Sequence, residues 1–124
     1  MAVWLVAAAV NGLIGVAMGA IAAHGMPGDP DAQRQAWMNT AVAYQMWHAL
    51  ALLAVGLLAA DAEAPRRAAL ILAGTGFLVG IVLFSGSLYL LALTDFRGLV
   101  WITPIGGSAF LLGWVALGWH GLGR

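Results

Sequence analysis

The stretch AWMNTAVAYQMWHALALLAVGLLAA, residues 36–60, is apolar enough to cross a lipid bilayer and contains no Lys, Arg, Asp or Glu. A transmembrane helix needs about 20 mostly apolar residues. Three further stretches meet this requirement, and the four predicted spans are residues 3–23, 36–60, 69–93 and 99–119. The sequence therefore predicts an all-α membrane protein, an antiparallel bundle of four transmembrane helices that forms a single domain over residues 1–124.

The amino-acid composition also indicates a membrane protein. Of the 124 residues, 63% are hydrophobic and only 8% are charged, whereas a soluble domain has about 25% charged residues. Membrane lipids are therefore the first expected partners. The formal net charge is zero, which argues against nucleic acid as a partner. The chain has no cysteine, so thiolate metal sites and a cysteine nucleophile are excluded.

Every charged residue except Arg124 lies in one of three short connectors. These are HGMPGDPDAQRQ (24–35), DAEAPRR (61–67) and TDFRG (94–98). Short connectors predict that consecutive helices are antiparallel neighbours, and Pro65 is expected to break the helix in the second connector. The first span has no basic residue before it and a longer apolar run than a signal peptide, so we expect it to be a membrane helix.

The distribution of arginine predicts the orientation in the membrane, because cytoplasmic loops carry an excess of Lys and Arg. An even number of spans places both termini on one side of the bilayer. That side would hold Arg66, Arg67 and Arg124, whereas Arg34 and Arg97 would lie on the other. We therefore expect both termini to be cytoplasmic.

Small residues recur at helical spacing in three of the spans. Lipid provides no hydrophobic drive for helices to associate, so close packing at small residues takes its place. The glycines expected at helix contacts are Gly12, Gly15, Gly19, Gly76, Gly80, Gly106 and Gly113. The pattern leaves open whether these contacts lie within the chain or in a homo-oligomer. Pro104 is expected to kink the fourth span, because proline removes a backbone donor inside a helix.

The second span carries polar side chains on one face. Thr40, Tyr44 and His48 lie at positions i, i+4 and i+8, and Gln45 borders the same face. This face is expected to point into the bundle. His48 lies near the midplane, where a charge would cost at least about 2.5 kcal/mol. We therefore expect a neutral His48 that is hydrogen-bonded to Asn11, Tyr44 or Gln45.

Polar side chains of the other spans are expected to gather in the outer half of the bundle. They are His24, Ser85, Ser87, Thr103 and Ser108, and the polar region narrows to His48 with Asn11 beneath it. One interpretation is that these groups hydrogen-bond across helices and fix the packing. The other is a wedge-shaped cavity, open to the outer leaflet, that binds a lipid-like or quinone-like small molecule.

The spacing of reactive groups argues against an enzyme or a metalloprotein. His24, His48 and His120 fall at outer, middle and inner levels, so neither a bis-histidine haem nor a multi-histidine metal site is expected. No acidic residue lies within a span, so no Ser–His–acid set is evident. We therefore expect no cofactor, no metal ion and no catalytic activity.

Four stretches together resemble a known family: GAIAAHG (19–25), WMNTAVAYQMWHALALL (37–53), LFSGSLYLLALT (83–94) and TPIGGSAFLLGW (103–114). The chain resembles the YgdD-like family of small bacterial inner-membrane proteins, which is related to eukaryotic transmembrane protein 256. The resemblance implies a four-helix inner-membrane protein and supplies no reaction. The residues that it places in recurring motifs are His24, Thr40, Tyr44, Gln45, His48, Ser85, Gly86, Ser87, Tyr89, Thr103, Pro104, Gly106 and Gly107.

Together these patterns predict a non-enzymatic membrane protein. It would be a structural or accessory subunit of a homo-oligomer or larger membrane complex, or it would bind a lipid-like molecule in the outer polar wedge. The alternative is a small-solute transporter or channel. A transporter needs a polar path through the inner half of the bundle, and the sequence shows almost no polar residue there.

Overall fold

The computed structural model describes residues 2–123, and the regular elements in that range are helices. They are α1 (Ala2–His24), α2 (Ala32–Ala59), α3 (Ala64–Gly80), α4 (Gly86–Thr94) and α5 (Thr103–Leu122). A π-helical turn, Ile81–Ser85, joins α3 to α4 into one continuous third span, Ala64–Thr94, and a 3-10 turn, Arg97–Trp101, precedes α5. Four helical segments are thus long and apolar enough to cross a membrane, which confirms the predicted fold class.

Two local features set where the helices begin. Asp31 caps α2, because its side chain accepts a hydrogen bond from the backbone N–H of Arg34 at 2.9 Å. As a result α2 begins about one turn before the predicted start of the second span. Pro65 lies in the first turn of α3. A backbone N–H at this position would have no acceptor within the helix, so proline breaks no hydrogen bond there. It therefore starts the helix, and the third span is longer than predicted.

The prediction of a helix kink at Pro104 is wrong. Pro104 lies in the first turn of α5, directly after the 3-10 turn, where proline is well tolerated. The irregular part of the fourth span therefore precedes its α-helix. The interruption within a helix occurs instead at the π-helical turn of the third span, a kind of irregularity that is frequent at functional sites.

The helices pack as two antiparallel hairpins. Helix α1 packs against α2, α3 packs against α5, and α2 and the third span pack against each other in the middle. Consecutive spans are therefore neighbours, as the short connectors predicted. The apolar core between them includes Ala51, Leu52, Val55, Leu70, Ala73, Phe77 and Phe110. The two central spans bury more of their surface than α1 or the fourth span, so the flanking helices present wide apolar faces.

Six of the seven glycines singled out in the sequence lie at contacts within the chain. Their neighbours are Met46 for Gly15, Val42 for Gly19, Gly113 for Gly76, Phe110 for Gly80, the backbone of Phe84 for Gly106, and Phe77 for Gly113. Gly12 differs, because a Cβ atom there would meet no atom of the described residues within 4 Å. Gly12 therefore makes no such contact within the described bundle, and a contact with another chain, the alternative that the sequence leaves open, stays a prediction.

Candidate functional site

Three polar side chains connect α4, α2 and α1 through the middle of the bundle. The Tyr89 hydroxyl donates to Oε1 of Gln45 at 2.6 Å, and Nε2 of Gln45 donates to Oδ1 of Asn11 at 3.0 Å. The Asn11 amide in turn donates to the carbonyl of Ala7 at 2.8 Å. Gln45 and Asn11 are buried. Both amide groups thus use their donor and their acceptor inside the protein.

His48 bonds to the protein through both ring nitrogens. Its Nδ1 lies 2.7 Å from the backbone carbonyl oxygen of Tyr44, and the indole N–H of Trp114 donates to Nε2 at 3.0 Å. Because an indole nitrogen can only donate and a carbonyl can only accept, these partners specify a neutral imidazole with its proton on Nδ1. Of the three partners expected from the sequence, only Tyr44 bonds to His48, and it does so through its backbone carbonyl rather than its side chain.

Aromatic rings enclose the His48 imidazole. The ring of Phe110 stacks on it, with the centroids 3.6 Å apart and an interplanar angle of 13°. Phe77 and Trp114 pack against it at centroid distances of 5.6 and 5.8 Å. The imidazole is therefore buried, and both of its nitrogens already bond to protein.

Two serine hydroxyls, one in the π-helical turn and one just after it in α4, connect three helices. Ser85 Oγ donates to the Ala41 carbonyl of α2 at 2.9 Å and is fully buried. Ser87 Oγ bonds to the Phe84 carbonyl at 2.9 Å and to the Thr103 hydroxyl at the start of α5. Gly106 allows the close approach of α5 at this level, so the turn lies where α2, the third span and α5 meet.

Not every polar residue singled out in the sequence joins these groups. His24 is exposed at the end of α1, and Ser108 is exposed and donates to the Pro104 carbonyl of its own helix at 3.0 Å. Thr40 is half-buried, and no side-chain hydrogen bond connects it to these groups within residues 2–123. The residues of the expected wedge are therefore distributed over separate hydrogen-bonded sets, and no group of three metal-ligating side chains occurs in the part of the chain described.

Trp114 was not singled out in the sequence, and Tyr89 was singled out only through the family resemblance. The depth of Trp114 in its span could have indicated a hydrogen-bonding role, because tryptophans that only anchor a helix lie at the membrane interfaces. A tryptophan deep in a span needs a partner for its indole N–H. The sequence did not indicate which of the other three spans would provide that partner.

Two side chains in the first turn of α2 connect this helix to the ends of its neighbours. Arg34 Nε donates to the Ala92 carbonyl at 2.7 Å and so pairs an unsatisfied carbonyl at the end of α4. Gln35 Nε2 donates to the Ala22 carbonyl near the end of α1 at 3.0 Å. The amino-terminal end of α2 is therefore joined to both neighbouring helices.

These features define the class of the molecule: an integral membrane protein whose polar core is bonded internally. Residues 18–107 match the family described as "Protein of unknown function (DUF423)", and the chain belongs to this family. The chain is 45% identical over 114 residues to the "UPF0382 membrane protein" of Haemophilus influenzae, covering 92% of this chain and 89% of the relative.

Other relatives have similar coverage. The chain is 42% identical over 118 residues to the "UPF0382 membrane protein YwdK" of Bacillus subtilis, covering 94% of each protein. It is 40% identical over 114 residues to the "UPF0382 inner membrane protein YgdD" of Escherichia coli, covering 91% of this chain and 84% of the relative. The resemblance to the YgdD-like family is thus confirmed. No solved structure was found to match the chain.

Proposed function

We propose that the protein is a non-enzymatic accessory subunit of the bacterial inner membrane, with both termini in the cytoplasm. The location is supported by the relative YgdD, which is named an inner membrane protein. The orientation is supported by three arginines on the side of the termini, Arg66, Arg67 and Arg124, against Arg34 and Arg97 on the other. Arg124, which adds the third charge to the inner side, lies outside the described residues.

The internal pairing of Gln45 and His48 is the observation that carries the proposal. A ligand or substrate site keeps a few polar groups available to orient the molecule that it binds. Here both amide atoms of Gln45 and both ring nitrogens of His48 already bond to protein. Such interhelical bonds are typical of groups that hold membrane helices together, and this supports a structural role.

A groove on the membrane-facing side of α1 and α2 supports an accessory role. It has a volume of about 190 Å³ and is lined by Leu5, Ala8, Ala9, Gly12, Met46, Ala49, Leu50 and Leu53. Small residues at a helix surface let a second helix approach closely. The space beside Gly12 is open in the bundle. A transmembrane helix of a partner subunit is the occupant that we propose for this groove.

Two glycines provide a matched test of this surface. A Cβ atom at Gly12 or at Gly118 of α5 would meet nothing within 4 Å in the described part of the chain, so a leucine at either position should leave the bundle folded. We expect Gly12→Leu to lose the subunit that co-purifies after gentle extraction, whereas Gly118→Leu retains it. The measurement is native mass spectrometry of the extracted complexes.

Two outcomes would contradict the accessory role. Retention of the same partner by both variants would mean that the groove is not the contact. A bound mass equal to a second copy of this chain, lost only in Gly12→Leu, would mean that the groove forms a homo-oligomer and does not bind a different subunit.

Binding of a lipid-like or quinone-like molecule in the outer half is the second candidate. A groove of about 200 Å³ lies there between Trp37, Leu88, Leu91, Val100, Thr103 and Pro104. This is smaller than the roughly 300–1,000 Å³ of ordinary small-molecule pockets, and Thr103 already bonds to Ser87. The groove would therefore hold only part of such a molecule, and we rank this function second.

A small-solute transporter or channel has the least support. It would need polar groups through the inner half of the bundle. The buried residues at that level include Leu52, Val55, Leu70 and Ala73, which are apolar. Uptake of a solute by vesicles that contain only this protein would favour the transporter over the accessory subunit.

A further inference from the structure

The inner end of the bundle contains a small charged cavity, separate from the polar groups around Gln45 and His48. It lies where α2 ends, α3 begins and α5 ends, and its volume is about 130 Å³. The residues that line it are Leu57, Leu58, Asp61, Ala62, Arg66 and His120. The cavity thus brings a cation and an anion to a span end, which is the level of the lipid headgroups.

The arginines at this end lack partners for part of their guanidinium groups. The Nε atoms of Arg66 and Arg67 are buried and have no hydrogen-bond partner within residues 2–123. Arg67 donates through another nitrogen to the Ala62 carbonyl at 2.7 Å. A buried donor without an acceptor is unfavourable, so an acceptor from outside the described residues would stabilise Arg66 in particular.

The charges in the cavity are also not neutralised by one another. The ion pair found in the described part of the chain joins Arg97 to Asp95 at the opposite end of the bundle. Arg66 and Asp61 line the same cavity, but no guanidinium nitrogen of Arg66 lies within 4.0 Å of a carboxylate oxygen of Asp61, so they form no salt bridge. Each therefore remains available for an opposite charge on a bound molecule.

Position in the helix adds to the positive potential around Arg66. The first turn of α3 holds Arg66 and Arg67 and contains no acidic residue. The amino-terminal end of a helix is already the positive end of its dipole, so arginines there are placed against the usual preference. Glu63, the N-cap residue of α3, offsets one of the two cations, so one positive charge remains to favour an anion, and guanidinium matches the geometry of phosphate oxygens.

His120 fixes the wall of the cavity on the side of α5. Its Nδ1 lies 3.2 Å from the backbone carbonyl of Arg66, and the residue is buried. This contact joins the end of α5 to the start of α3. The cavity is therefore bounded by three helices, and it is large enough for a headgroup but not for a whole lipid.

We propose that this cavity binds the headgroup of a phospholipid that bears a primary amine. Arg66 contacts the phosphate, Asp61 accepts hydrogen bonds from the ammonium group, and the acyl chains lie outside against Leu57, whose surface is 63% exposed. A phosphate with an amine close by matches the unpaired cation and anion of the cavity. A headgroup with only a phosphate would leave Asp61 unpaired.

The test compares lipids that share acyl chains and differ only in headgroup. Purified protein in detergent is titrated with phosphatidylethanolamine, phosphatidylglycerol or phosphatidylcholine, and bound lipid is counted by native mass spectrometry. We expect phosphatidylethanolamine to bind about tenfold more tightly than the other two, and Arg66→Gln to lose about tenfold in affinity for it. Asp61→Asn, at an exposed position, should lose the preference for the amine and keep binding of phosphatidylglycerol.

Arg97→Gln is the matched control, because it removes one arginine charge at the opposite end of the bundle. It should bind phosphatidylethanolamine as the unchanged protein does. Equal binding by Arg66→Gln and Arg97→Gln would overturn the site, and equal binding of the three lipids by the unchanged protein would overturn the contact with the amine. Thermal stabilisation by inorganic phosphate as large as that by the lipid would overturn a lipid as the ligand. Melting curves of the lipid-free variants show that each is folded.

Discussion

Trp114 of α5 donates its indole N–H to Nε2 of His48 in α2 across 3.0 Å. This bond connects two helices that are far apart in the sequence, and it fixes the tautomer of the imidazole. The other ring nitrogen bonds to the Tyr44 carbonyl, and Phe110 covers one face of the ring. The histidine that is most conspicuous in the sequence therefore serves as a connection between helices.

Loss of the Trp114 donor should destabilise the bundle. Trp114→Phe keeps an aromatic ring but leaves Nε2 of the buried His48 without a partner, and an unpaired buried acceptor costs about 1–3 kcal/mol. Trp119→Phe is the control on the same helix, because Trp119 is 73% exposed. Melting temperature in detergent should fall for the first variant and stay within error for the second. Equal melting temperatures would show that the indole bond does not contribute to stability.

The bond between Tyr89 and Gln45 should appear as a coupling energy. In a double-mutant cycle of Tyr89→Phe and Gln45→Leu, the two changes should be non-additive, because each removes one side of the same 2.6 Å bond. Couplings of this kind in a membrane protein average about 0.6 kcal/mol and reach about 1.7. The free energy of unfolding of the four proteins gives the value. Strict additivity would mean that the two side chains do not interact.

A methyl group at Gly106 should disturb the contact between α5 and the π-helical turn. A Cβ atom there would lie 2.7 Å from Cα of Phe84, which is backbone and cannot rotate away. Overpacking of this kind costs about 1–3 kcal/mol, so Gly106→Ala should lower the melting temperature. Gly12→Ala is the matched control, since its Cβ meets no atom of the described residues within 4 Å. A Gly106→Ala protein as stable as the control would contradict the close packing.

Cysteine labelling tests the orientation, because the chain has no cysteine of its own. Asp29→Cys in the first connector and Glu63→Cys in the second are both at exposed positions. A reagent that does not cross the inner membrane should label residue 29 from the outside and leave residue 63 unlabelled. Labelling of residue 63 alone would show that the termini lie outside and would contradict the prediction. Equal labelling of both residues would indicate that the protein inserts in two directions.

The sequence predicts the fold well because membrane spans follow from composition and length alone. The polar face of α2 also follows from the spacing of Gln45 and His48 on a helix. The partners Trp114 and Tyr89 do not follow, since they depend on how distant helices rotate against each other. Pro104 was misread as a kink because its effect depends on where the helix begins, and the 3-10 turn before α5 moves that start to Thr103.

Gln45 and His48 of α2 are bonded within the bundle, and NMR of the labelled protein tests this at His48. With ¹⁵N in the His48 and Trp114 rings, a hydrogen bond from Nε1 of Trp114 to Nε2 of His48 gives a scalar coupling between the two nitrogens. We predict this coupling together with the shifts of a neutral imidazole protonated on Nδ1. No coupling, together with a proton on Nε2, would show that His48 is free to bind something else and would contradict the account.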